Sequence, residues 1–139
     1  MKPYIAVIDD DPLLREFVAQ HLTAAGCQVA TFGDGRSALI SLVASRPDLI
    51  VLDVEMSPPN GMEVLRRLRG ADWSWAIPVV MLTGRRQPGQ IMEALQLGAS
   101  DYLAKPLDPA ALIARINRRL GCPEPDALPP AADLALVLD

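Results

Sequence analysis

Short apolar runs alternate along this chain with longer stretches in which apolar residues return at helical spacing. The runs at 4–8, 29–32, 49–52, 79–82 and 102–104 predict strands. Asp11-Pro12 opens the first helix, an N-cap followed by proline at the first helical position. Leu14, Phe17, Val18, His21 and Ala25 keep its i, i+3, i+4 register, which places His21 on the inner side, and Gly26 ends it. Asp34-Gly35 opens a second helix through Ala38, Leu39, Leu42 and Val43, closed by Arg46-Pro47. The segment 57–61 is dense turn chemistry. A third helix over 62–69 carries Val64, Leu65 and Leu68 inward, with Arg66, Arg67 and Arg69 outward as a solvated face. Trp73 and Trp75 flank a turn before Pro78, where they cap the core or present a partner surface. A fourth helix over 90–97 stops at Gly98, and Pro109 opens a last one through Leu112, Ile113, Ile116 and Leu120.

Five strand-then-helix repeats predict an α/β domain, doubly wound as (βα)5, with a five-stranded parallel sheet and ligands at its carboxyl edge. Right-handed crossovers restrict the strand order, 2-1-3-4-5 being one common solution. The wholly apolar run 49–52 suits a central strand covered on both faces.

The ends of the runs change the picture from fold to chemistry. Run 4–8 ends on Asp9-Asp10, 49–52 on Asp53, 79–82 on Thr83 and 102–104 on Lys105. On one sheet edge these gather carboxylates, a hydroxyl and an ammonium. Neighbouring Asp10 and Asp53 repel unless a cation sits between them. An oxygen-only set selects Mg2+ (or Mn2+), which binds through one or two carboxylates and keeps waters. With the dication present Asp53 stays ionised, hence nucleophilic. A phosphoryl group attacked by it needs its remaining oxygens neutralised, and Lys105 and Thr83 supply that. Asp11 is spent as a helix cap.

Composition narrows the partners. The 139 residues, 50% hydrophobic, suffice for one full core. Residues 1–120 balance thirteen acids with thirteen bases, which gives no electrostatic case for nucleic-acid binding by this segment. Residues 121–139, with Glu124, Asp126, Asp133, Asp139 and four prolines, read as an acidic linker or tail. No run approaches the length of a membrane span, and the first meets three aspartates, so no signal peptide is expected. Cys27 and Cys122 lack a CxxC or a nearby His, which suits a cytoplasmic protein. Eleven of the thirteen bases are Arg, so the internal Lys105 hints at a chemical demand.

From about Tyr4 to Leu120 the chain resembles a response-regulator receiver domain of bacterial two-component signalling. The matching pieces are I-D-D-D-P at 8–12, D-G-R-S-A-L at 34–39, L-D-V-E-M at 52–56, N-G-M-E at 60–63, P-V-V-M-L-T-G at 78–84 and G-A-S-D-Y-L-A-K-P at 98–106. Their order and intervals match as well. The resemblance implies a flavodoxin-like fold, a receiver at 1–120 and a tail at 121–139. It implies that Asp53 accepts a phosphoryl group from a sensor histidine kinase or phosphotransfer protein. Asp10, Asp53 and the backbone carbonyl of Glu55 would ligate Mg2+, with Asp9 acting through water. Lys105 and Thr83 would contact the phosphoryl group, and Tyr102 would be the aromatic switch, given room by Gly84. Output would pass through the face made by the fourth helix, fifth strand and last helix, which also suits a homodimer joined by Asp101 and Arg115. No turnover substrate is implied.

Ser57 stands where the family usually has proline, which puts the path of that loop in question. Glu55 and Arg85 occupy positions that tune dephosphorylation in this family, and their charges are placed to pair across the mouth. Lys105-Pro106 is a candidate cis bond.

Two other readings compete. Residues 33–38 match the G-x-G-x-x-A dinucleotide fingerprint, but in the second strand–helix unit, where the motif does not belong. An aspartyl-phosphate phosphatase would place an Asp where Glu55 stands, and would need residues for a lid. The output stays open between a stand-alone receiver and the N-terminal part of a winged-helix DNA-binding regulator, whose last receiver helix A-L-I-A-R-I-N-R-R at 111–119 resembles.

Overall fold

The structure is a computed structural model, which describes residues 2–84 and 87–121. Its elements run β1 (Tyr4–Ile8), α1 (Pro12–Ala24), β2 (Gln28–Phe32), α2 (Gly35–Leu42), β3 (Leu49–Asp53), α3 (Gly61–Gly70), β4 (Val79–Thr83), α4 (Pro88–Gln96), β5 (Asp101–Ala104) and α5 (Pro109–Leu120). All strand pairs are parallel, in the order β2-β1-β3-β4-β5.

Strand alternation divides the core into two layers. Ile5, Val7, Leu49, Val51, Val80 and Leu82 face one way, onto Val18 and Leu22 of α1 and Leu112 and Ile116 of α5. Ala6, Ile8, Ile50, Leu52, Val79 and Met81 face the other, onto α2, α3 and α4. Each fully buried Leu, Ile or Val contributes about 1.5–3 kcal/mol by leaving water.

The helix starts follow the residues that announce them. The Asp11 side chain accepts from Leu13 N and Leu14 N, Asp34 from Ser37 N, and Asp108 from Ala110 N. Asn60 and Glu63 form a reciprocal capping box at α3. Gly26 and Gly121 end α1 and α5 at φ of 95° and 70°, a backbone region that costs a side chain dearly.

Two expectations are corrected. His21 is exposed, its Nδ1 2.9 Å from the carbonyl of Phe17, because the buried stripe of α1 runs through Val18 and Leu22. His21 sits one position, about 100°, off that stripe. Arg69 does not share the solvated face of Arg66 and Arg67: its guanidinium turns in over the end of α3 and donates to main-chain carbonyls. Asp101 and Arg115, the residues expected to suit a dimer, form an ion pair with each other within this one chain. Of the two tryptophans, Trp73 packs on the core and Trp75 lies exposed. Residues 122–139 and Arg85 lie outside the described residues. Among the described residues no helix is long and apolar enough to cross a membrane.

Candidate functional site

Register brings the chemistry together. Ile8 pairs with Leu52, so the next residues, Asp9 and Asp53, stand side by side where β1 and β3 end. Asp53 in turn faces Leu82, and Thr83 faces Ala104, so Thr83 and Lys105 each lie one residue beyond a paired neighbour. Four separate stretches therefore meet at one corner of the carboxyl edge. The peptide N–H of Lys105 donates to the Thr83 carbonyl at 2.7 Å, which fixes β5 against β4 there.

Asp9 and Asp53 are each 1% exposed, an unusual depth for carboxylates. Lys105 Nζ lies 3.1 Å from Asp53 Oδ1 and 3.1 Å from Asp9 Oδ2. Asp9 is further held by the Asp11 N–H, which donates to its Oδ1 at 2.9 Å. The Glu55 N–H donates to Asp53 Oδ1 at 3.2 Å. Asp10 is exposed, and ligand oxygens of Asp9, Asp10 and Asp53 fall within 4.8 Å of one another.

The charge balance of this corner is unfavourable as it stands. Burial and then the neighbouring Asp9 carboxylate push Asp53 up to about 7, with the Lys105 ammonium and the Glu55 N–H pulling the other way. For Lys105, burial works to strip the proton, but Asp53 and Asp9 outweigh it and hold the ammonium above its ordinary value. Among the described residues, one ammonium faces three carboxylates. Asp9 Oδ2, buried, faces that ammonium without a hydrogen bond of good geometry among the described residues. The corner fits a hard dication: among the described residues its donors are all oxygens, closely grouped and short of positive charge.

Thr83 is wholly buried, and its hydroxyl donates to Glu55 Oε1 at 2.6 Å. Tyr102 is half-buried, with its hydroxyl enclosed. Burial raises the phenol above its ordinary value, Thr83 opposes this and the Glu55 charge adds to it, which places the ring tip beside that pair. A side chain at Gly84 would meet nothing within 4 Å, in keeping with the room expected there.

The response regulator receiver domain family matches residues 5–117. The chain belongs to that family. It is 39% identical over 120 residues to the DNA-binding response regulator MtrA of Mycolicibacterium smegmatis, covering 86% of this chain and 51% of that protein. The receiver thus spans about half the length of the relatives it matches. Among solved structures, chemotaxis protein CheY4 of Vibrio cholerae superposes with a TM-score of 0.82 at 32% identity, over 86% of this chain and all (100%) of that one. The BeF3-activated N-terminal receiver domain of RstA from Klebsiella pneumoniae gives 0.78 at 32% identity, over 84% and 97%.

Every predicted site residue of the receiver lies at this corner: Asp9, Asp10, Asp53, Glu55, Thr83, Tyr102 and Lys105. Three supporting residues were not legible as such. Arg15 donates from Nη1 to the Asp9 carbonyl at 2.7 Å, tying α1 to the acidic loop. Gly61 lets α3 start hard against the acceptor, since a Cβ there would lie 2.1 Å from the Asp53 carbonyl oxygen. The Glu55 side chain, expected to pair with Arg85 (outside the described residues), accepts from Thr83 and Gly84. Pro58-Pro59 and Lys105-Pro106 are both cis. In the loop opened by Ser57, Pro59 sits against Gly35 of α2.

Proposed function

We propose that the receiver takes a phosphoryl group from a phosphohistidine of a partner kinase or phosphotransfer protein onto Asp53. The observation that carries this reading is a buried carboxylate with one ammonium 3.1 Å away and two further carboxylates beside it. An oxygen of Asp53 attacks phosphorus, the P–N bond to the donor imidazole breaks, and the imidazole leaves with the nitrogen electron pair. Lys105 and the Thr83 hydroxyl hold oxygens of the transferring group, so charge is met by preset donors rather than by water. Asp9, Asp10, Asp53 and the Glu55 carbonyl would hold Mg2+, which when bound neutralises the excess carboxylate charge and a phosphoryl oxygen. Burial of Asp9 and Asp53 limits the approach of bulk water to the acyl phosphate from the protein side.

The product is a covalent switch rather than a turnover reaction. Phosphorylation draws on Thr83, beside which Tyr102 lies, and biases the face of α4, β5 and α5. A near-complete switch needs about 5.5 kcal/mol of preference for the modified state. A second reading makes this receiver the N-terminal part of a winged-helix transcriptional regulator. It is supported by a relative named as DNA-binding, of which the chain covers 51%.

The test is Mg2+-dependent labelling by acetyl phosphate. Wild type takes up one phosphoryl group and holds it, and Asp53→Ala takes up none. Equal labelling of the two would end the assignment, and many turnovers of p-nitrophenyl phosphate would favour a phosphatase instead.

A further inference from the structure

At the end of β4 two donors point into the corner: the Thr83 hydroxyl and the Gly84 N–H. Both are engaged by one carboxylate. Thr83 donates to Glu55 Oε1 at 2.6 Å, and the Gly84 N–H donates to the same oxygen at 3.1 Å and lies 3.4 Å from Oε2. Glu55 bridges the two strands that matter here. Its backbone N–H is anchored on the Asp53 carboxylate at 3.2 Å, while its side chain crosses from the end of β3 to the end of β4. The Thr83 contact is short and charge-assisted, the strong class of hydrogen bond.

We propose that Glu55 is a resident stand-in for the phosphoryl group, holding the Thr83 hydroxyl and the Gly84 N–H until an anion on Asp53 displaces it. The inference rests on the assignment of Asp53 and Thr83 made above. A threonine hydroxyl has one proton to donate, so two anions cannot both receive it. A phosphoryl group on Asp53 must therefore evict the Glu55 carboxylate or do without Thr83. Modification becomes an exchange of one anion for another on the same donors. The hydroxyl beside Tyr102 is never idle, and the affinity for a phosphoryl group is set by a difference between two bonds rather than by one.

Beryllofluoride, whose beryllium becomes tetrahedral on bonding a carboxylate oxygen and so copies a phosphoryl group, reads this directly. Its dissociation constant is measured by fluorine NMR on the full chain in saturating Mg2+, for wild type, Glu55→Gln, Glu55→Ala, Thr83→Ala and Glu55→Gln/Thr83→Ala. Glu55→Gln and Glu55→Ala tighten binding about tenfold, the weight of one charge-assisted hydrogen bond. In the Thr83→Ala background most of that gain disappears, because the contested donor is gone. A gain that persists in full there would mean simple charge repulsion and would overturn the inference, as would no gain in either single variant. Equal binding to all five proteins sinks this inference alone. Binding to none sinks the Asp53 assignment along with it.

Discussion

The Arg69 guanidinium grips the carbonyl of Gly98 twice, from Nε at 2.9 Å and from Nη2 at 2.8 Å. Its third nitrogen donates to the carbonyls of Ile77 at 2.8 Å and Ser74 at 3.3 Å. One side chain at the end of α3 thus closes the loop into β4 and pins the turn between α4 and β5. That turn leads directly into the strand carrying Tyr102 and on to Lys105.

Arg69→Ala leaves several half-buried carbonyls without their donor and costs about 2–4 kcal/mol, read from urea unfolding. Arg69→Lys recovers less than half, since a point ammonium cannot reproduce the fork. Gly98→Ala destabilises too: its φ is +102° and a Cβ there would sit 2.8 Å from Arg69 Nε. Wild-type stability in Arg69→Ala would show that the clamp is ornamental.

Gly61 tests how closely α3 supports the acceptor. A Cβ would meet the Asp53 carbonyl oxygen at 2.1 Å and Val54 Cα at 2.6 Å, both backbone that cannot swing aside. Gly61→Ala costs about 1–3 kcal/mol by overpacking and weakens Mg2+ binding by displacing Asp53. Gly70, with nothing within 4 Å of its Cβ position, is the control. Gly70→Ala shifts stability by less than about 1 kcal/mol. Equal Mg2+ affinity in wild type and Gly61→Ala would break the link between this glycine and the site.

The corner was legible because parallel strands put all their ends on one edge, so Asp10, Asp53, Thr83 and Lys105 needed only their places after apolar runs. Arg69 was not, because helical period alone groups it with Arg66 and Arg67. What turns it inward is a set of carbonyls from later turns, to which no side-chain pattern points. His21 failed for a related reason: a stripe as narrow as that of α1 leaves its flank exposed, and spacing alone does not give its width. The Glu55 side chain was read toward Arg85 and not toward Thr83, since the distance from its carboxylate to Thr83 exists only once β3 and β4 are side by side.

The Asp101–Arg115 pair lies within the chain, each side chain at most 18% exposed. Arg115→Ala therefore costs about 1 kcal/mol in unfolding, and the loss is the same at low and high protein concentration. A loss that appears only at high concentration would place the pair in a dimer interface instead.

Asp53 carries a proton linkage with a definite sign. Its folded value, about 7, lies above the ordinary carboxylate value of 3.8. Between those pH values the folded state holds a proton that the unfolded chain has released, so without metal this group lowers stability as pH rises. Asp53→Asn removes the slope, and its advantage over wild type in EDTA is larger at pH 8 than at pH 5.5. Saturating Mg2+ favours the ionised carboxylate, so the stability it adds to wild type grows over the same interval. Thermal unfolding at the two pH values, with and without Mg2+, reads all four quantities. A Mg2+ increment independent of pH, or a variant whose advantage shrinks as pH rises, would mean that Asp53 is ionised in the metal-free protein and that the buried corner already tolerates its charge.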